Sequence, residues 1–160
     1  MENLLIKVYK NQTLTRFLKL FSHFVSLLSV AAFGFILGKM IFSESYTEAA
    51  KIAVALLIGF IFVSGVRDII DAPRPYELYD FYKSKPKKRE GKSFPSRHAY
   101  SAFAISVAAF SVSLPIAIVL LFLSALMCGC RVITGIHFIR DVAAGSLIGI
   151  TAGVAALILI

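Results

Sequence analysis

The sequence predicts an all-α integral membrane protein: a bundle of about five transmembrane helices preceded by an N-terminal interfacial helix. Three observations carry that expectation. Of 160 residues, 58% are hydrophobic and only 16% are charged, and the mean hydropathy is +0.81; a soluble domain carries about a quarter charged residues. Five apolar runs approach the roughly 20 residues that a helix needs to cross a bilayer. Glycines recur at helical spacing inside two of those runs, which lets helix backbones approach closely in lipid.

At the N-terminus, Leu4, Leu5, Val8 and Tyr9 alternate with Lys7 and Lys10. That mixture suits a helix on the bilayer surface with its lysines among the headgroups. The apolar run beyond it is longer than the roughly 7–15 residues of a secretory signal core, so no signal peptide is read here. The first span covers about Phe17 to Phe42 and the second Ala49 to Ile70. A third begins at His98 and runs to about Leu114, short and weakly polar at Ser101, Ser106 and Ser111. Pro115 opens the fourth, which ends near Thr134; a first helical turn tolerates proline because its missing N–H has no partner there anyway. The fifth runs from about Phe138 to Ile160, and residues 1–160 are expected to form one membrane-embedded domain.

Gly145, Gly149 and Gly153 form one small-residue stripe, and Gly34 with Gly38 another. Packing within the chain and a homodimer interface need the same surface, so both stay open. Asp141 lies four residues before Gly145, on the same helical face, which should therefore look into the bundle. Cys128 and Cys130 are one residue apart and would point in different directions on a helix; they read as small apolar packers rather than a disulfide or metal pair.

The one long polar stretch runs from Asp71 to Arg97. Tyr76, Tyr79, Phe81 and Tyr82 suit an interfacial aromatic belt. Lys83, Lys85, Lys87, Lys88, Arg89 and Lys92 then suit anionic headgroups, at about 1 kcal/mol per cation. A solvated loop explains the same residues. A nucleic-acid partner is excluded because this basic stretch is pinned between membrane helices.

With five spans, three distant segments meet at one membrane face: Arg67 and Arg74, then Ser96 to His98, then Arg131 to Asp141. His137 and Asp141 are four apart, so the carboxylate can accept a hydrogen bond from one imidazole nitrogen and make the other a nucleophile. His98, at a helix start, can protonate a leaving oxygen. Arg67, Arg74 and Arg131 can neutralise phosphoryl oxygens, with Ser96 and nearby amides at a helix N-terminus. Phosphoryl transfer needs mainly positioning and charge stabilisation. His23, alone in an apolar run, reads as a satisfied polar residue, and Asp68 and Asp71 either orient the arginines or simply end a helix.

These residues resemble the type 2 phosphatidic acid phosphatase superfamily, which also contains vanadium haloperoxidases. Arg67-x6-Arg74-Pro75 stands for its Lys-x6-Arg-Pro motif, with Arg in place of Lys. Pro95-Ser96-Arg97-His98 matches Pro-Ser-x-His, where Gly is common at the third place. Cys130-Arg131-x5-His137-x3-Asp141 matches Ser-Arg-x5-His-x3-Asp, with Cys in place of Ser. The resemblance implies that His137 becomes a phosphohistidine, that Asp141 orients it, and that His98 protonates the leaving group. It implies phosphate binding by Arg67, Arg74, Ser96, the Arg97 amide and Arg131, within an active-site loop spanning 71–97. No metal or other cofactor is implied, and no His/Asp cluster has divalent-ligand spacing.

The expected function is a metal-independent lipid phosphatase of a bacterial plasma membrane, removing a terminal phosphate from a polyprenyl diphosphate or phospholipid phosphate. Phosphatidic acid, phosphatidylglycerol phosphate and lipid A phosphates are the alternatives within that chemistry. A catalytically silent lipid-phosphate binder or transporter is the alternative outside it, and a haloperoxidase suits lipid immersion less well. The distribution of the 17 Lys and Arg residues favours a cytoplasmic site, whereas the resemblance favours an outward-facing one; sidedness stays open.

Overall fold

The computed structural model describes Ile6, Val8 and residues 11–79 and 90–160. The expected interfacial segment at Leu4, Leu5, Lys7, Tyr9 and Lys10 lies outside the described residues, as do Phe81, Tyr82 and the basic run from Lys83 to Arg89. The described residues form helices joined by loops, with no strand among them: α1 (Gln12–Phe42), α2 (Tyr46–Ile70), the single turn α3 (Pro75–Leu78), α4 (Arg97–Ala108) with a 3₁₀ turn (Ala109–Ser111), α5 (Leu114–Ile133) and α6 (Ile139–Leu159).

Helices α1, α2, α5 and α6 are long and apolar enough to cross a membrane. Their outer surfaces agree: Phe17, Leu20, Phe24, Leu27 and Val30 on α1 are all more than half exposed, an arrangement stable only where the surrounding solvent is lipid. The third expected span is different. Helix α4 has 12 residues, about 18 Å at 1.5 Å per residue, well short of the roughly 30 Å hydrocarbon thickness. With its 3₁₀ turn it still runs from the Arg67 end of the bundle to the Lys39 end, as the third expected crossing, but as a central strut more than a lipid-facing wall. Ala99, Tyr100, Ala102 and Ala104 through Ala108 are buried by the helices around it.

Local chemistry sets the ends of these helices. Asn11 caps α1, its Oδ1 accepting the Leu14 N–H at 3.0 Å, and Pro115 occupies the first turn of α5 as expected. Ser96 caps α4 by accepting the Ala99 N–H at 3.4 Å. At the far end of the bundle Lys39 Nζ donates to the Val112 carbonyl at 3.0 Å, tying the end of α1 to the α4–α5 connection.

The α4–α6 contact positions everything at the opposite end. A Cβ at Gly145 would run into the Ser96 carbonyl, one at Gly149 into the Tyr100 carbonyl, and one at Gly153 into Val107. The stripe is thus used within the chain, by α4. Tyr100 locks α4 to α2 as well, its hydroxyl donating to the Leu56 carbonyl at 2.6 Å beside Gly59. Cys128 and Cys130 are buried and free, Cys128 Sγ lying 3.9 Å from Ser146 Oγ.

Gly149→Val should lower unfolding stability in detergent by about 1–3 kcal/mol, the usual cost of overpacking. Gly65→Ala and Gly129→Ala, where a Cβ meets open space, should be neutral or stabilising through helix propensity. Thermal unfolding of the three variants checks the contrast.

Candidate active site

Segments 71–77 and 90–96 leave the bundle and return to it braced against each other. The Gly91 N–H donates to Glu77 Oε1 at 2.9 Å, Lys92 N–H to Asp71 Oδ1 at 3.0 Å, and Ser93 N–H to the Ala72 carbonyl at 2.8 Å. Asp71 (φ 42°), Gly91 (φ 61°) and Lys92 (φ 53°) all adopt left-handed backbone to make this return, and a Cβ at Gly91 would strike the Asp71 carboxylate. Phe94–Pro95 is cis. The Asp68 carboxylate takes Lys92 Nζ at 2.8 Å on the exposed rim. Asp68 and Asp71, expected either to orient the arginines or simply to end a helix, hold the loop at Lys92.

All three motif segments meet here. Arg67, at the end of α2, is buried with Nη1 donating to the Pro95 carbonyl at 3.3 Å. Arg74 is buried, its Nε donating to the Gly91 carbonyl at 3.0 Å and its guanidinium lying over the Tyr76 ring. Arg131, in the last turn of α5, is buried with Nε unpartnered among the described residues. No described carboxylate pairs with Arg74 or Arg131. Buried guanidiniums without a counter-ion are costly, and among the described residues Arg74 and Arg131 leave this end of the bundle electropositive.

Ser96 is fully buried and its N–H donates to the Asp141 carbonyl at 3.0 Å, tying the start of α4 to the start of α6. Its amide is therefore spent on the scaffold. The amides of Arg97 and His98, in the first turn of α4, belong to the set a helix start leaves without intrahelical partners. The Arg97 guanidinium turns away, over the Phe60 ring at 5.9 Å. His98 is exposed on the open side of the site, within electrostatic reach of Arg67, Arg97, Arg131 and His137.

His137 lies in the turn between α5 and α6, which Gly135 (φ 71°) and the Thr134 hydroxyl, bonded to the Cys130 carbonyl at 2.7 Å, shape. It is only 2% exposed, and Asp141 is fully buried. The two do not form the direct hydrogen bond expected from their spacing: Nδ1 to Oδ2 is 3.6 Å, beyond hydrogen-bond range. The reason is local. His137 precedes the α6 cap, and Asp141 turns back to accept the Phe138 N–H at 2.9 Å. Ser93 fills the gap, its Oγ 3.4 Å from His137 Nδ1 and donating to Asp141 Oδ2. Nothing in the sequence marks Ser93, because a serine in a polar loop carries no spacing signal. Burial holds the His137 imidazole below its ordinary value of about 6.5, reinforced by Arg131 and Arg74 and opposed by Asp141. An unfolded chain binds the proton that buried His137 refuses, so this group makes stability fall as pH drops below about 6.5.

Residues 48–160 match the model of the PAP2 superfamily. The chain belongs to that superfamily, the membrane lipid phosphatase family that its motifs resemble. No curated protein matches it at the sequence level. Among solved structures it is similar to LpxE of Aquifex aeolicus, at 23% identity over 97% of this chain and 93% of that one, with a TM-score of 0.73. It is also similar to a transmembrane PAP2 type phosphatidylglycerolphosphate phosphatase from Bacillus subtilis, at 20% identity over 99% and 83%, with a TM-score of 0.75. Identities this low establish the shared fold: a multi-pass helical membrane protein.

Arg131→Met should leave the thermal stability of the phosphate-free protein unchanged or raised, because it removes a buried unpaired charge. Orthovanadate at 100 times its dissociation constant should stabilise the wild type by about 2.7 kcal/mol and the variant by much less. Thermal unfolding in detergent with and without vanadate reads both.

Proposed function

We propose that this protein hydrolyses the terminal phosphate of a membrane lipid through a phosphohistidine at His137. The observation that carries the reading is the buried set of Arg67, Arg74 and Arg131 around a histidine backed by Ser93 and Asp141. In the first step the Nε2 lone pair of His137 attacks phosphorus, the bond to the lipid oxygen breaks, and His98 delivers a proton to that oxygen. The guanidiniums and the first-turn amides of α4 hold the equatorial oxygens. In the second step His98 takes a proton from water, whose oxygen displaces His137 and releases inorganic phosphate. These steps use side chains of this chain alone.

A lipid substrate follows from the site's surroundings. Ile69, Ile70, Leu78 and Ile139 are at least half exposed around the ends of the helices that hold the arginines and His137. A soluble phosphate ester gains nothing from such a rim, whereas an acyl or prenyl chain stays in lipid while its headgroup reaches the arginines. The substrate class is a polyprenyl diphosphate or phospholipid phosphate, with phosphatidic acid, phosphatidylglycerol phosphate and lipid A phosphates alongside. The membrane is proposed to be the bacterial plasma membrane.

Purified protein in detergent is assayed for phosphate release from phosphatidic acid, phosphatidylglycerol phosphate, undecaprenyl diphosphate and lipid A. His137→Ala should lower release at least about 1000-fold; unchanged release sinks the nucleophile assignment, and no release by the wild type favours a silent lipid binder. His98→Ala should cost about 100-fold or more on a lipid alkoxide and much less on p-nitrophenyl phosphate, whose leaving group needs no proton. The kcat/KM profile reports the free enzyme. With the substrate's own ionisation divided out, its acid limb should have a midpoint below about 6.5, because His137 stays neutral there; a midpoint above that value contradicts the burial argument.

A further inference from the structure

Asp141 is the residue expected to orient His137, yet its contact atom is already committed. Oδ2 accepts the Phe138 N–H at 2.9 Å and the Ser93 hydroxyl, while His137 Nδ1 stands off at 3.6 Å. A carboxylate oxygen offers two lone pairs, and both have partners here. The closer atom to Nδ1 is Ser93 Oγ, at 3.4 Å. Its one proton points to Asp141, so toward the imidazole it can present only a lone pair. Nδ1 must then be the donor, and the proton-free nitrogen is Nε2, the one that needs its lone pair for attack.

We propose that Ser93 is a positioning residue that transmits the hold of Asp141 to His137 through a Nδ1–H···Oγ–H···Oδ2 chain and thereby selects the nucleophilic tautomer. Ser93 suits the task because it has no freedom to do otherwise. It is fully buried, and its amide is anchored to the Ala72 carbonyl at 2.8 Å. The segment that carries it is clamped on either side, by Lys92 against Asp71 and by Ser96 against the Asp141 carbonyl. No bond to Ser93 forms or breaks in the reaction. When His137 bears a phosphoryl group on Nε2 the imidazole is cationic, and the same chain disperses that charge onto the buried carboxylate. The loop between α2 and α4 therefore contributes to the nucleophile as well as to the phosphate site.

The proposal rests on the reading of His137 as nucleophile, and the experiment separates the two. Ser93→Ala, Ser93→Thr, Asp141→Asn, Ser93→Ala/Asp141→Asn and His137→Ala are compared with the wild type on whichever of the four lipids above it turns over fastest. Ser93→Ala should lower kcat about 10- to 100-fold, the usual cost of losing an outer-shell partner, with KM within about threefold. Ser93→Thr, which keeps the hydroxyl, should recover most of that loss. In the Asp141→Asn background the serine change should cost less than about threefold, because residues acting as one unit are non-additive. A kcat for Ser93→Ala within twofold of wild type overturns the proposal, as does an undiminished cost in the Asp141→Asn background. Where Ser93→Ala does not fold, Ser93→Cys replaces it: a thiol of similar size but weak hydrogen bonding should be slow, and wild-type kcat there is equally fatal. If His137→Ala remains active, the nucleophile reading fails; if it is inactive while Ser93→Ala is normal, only the role of Ser93 fails.

Discussion

Helix α4 can lie against α6 only because Gly145, Gly149 and Gly153 carry no side chain where the carbonyls of Ser96 and Tyr100 and the side chain of Val107 press in. Association in lipid lacks the hydrophobic drive available in water and relies on close van der Waals packing, which three glycines on one face provide. That contact brings the start of α4 beside the start of α6, where the Ser96 amide bonds the Asp141 carbonyl. His98 on α4 and His137 ahead of α6 then lie near one another at the same end of that seam. Tyr100, bonded to Leu56, extends the seam to α2, which carries Arg67 eleven residues further on.

Against this seam the protein sets an electrostatic imbalance. Arg67, Arg74 and Arg131 are buried, and Arg74 and Arg131 have no described carboxylate to balance them. The buried carboxylate that is near, Asp141, is turned toward Ser93 and the Phe138 amide. Separating the negative charge behind His137 from the positive charge of the arginines costs folding free energy, which under the proposed function a bound phosphoryl group would offset. The brace between 71–77 and 91–93 holds Arg74, through its Nε bond to the Gly91 carbonyl, from relaxing outward toward headgroups, as long cationic side chains near a membrane surface otherwise do.

Much of this was legible beforehand. Arg67, Arg74, Ser96, His98, Arg131, His137 and Asp141 stand out because ionisable side chains at the ends of apolar runs are expensive and therefore few. Alternation of span direction brought them to one face before any contact was known. The third span was harder to read, since an apolar run of about 17 residues suits a buried strut and a short span equally. Ser93 was invisible, and so was the turned-back carboxylate of Asp141. A four-residue spacing implies one helical turn only if both residues are on the helix, and His137 is not.

Composition and order along the chain by themselves determined that this protein lives in lipid, that its helices form a bundle, and that the candidate site residues gather at one end. Those properties depend on summed hydropathy and on residue identity, both local quantities. Only the tertiary structure decided which surface the glycine stripe covers, how α4 sits inside the bundle, and which atom stands between His137 and Asp141. Each depends on distances between segments dozens of residues apart, where a shift of an ångström separates a hydrogen bond from a mere approach.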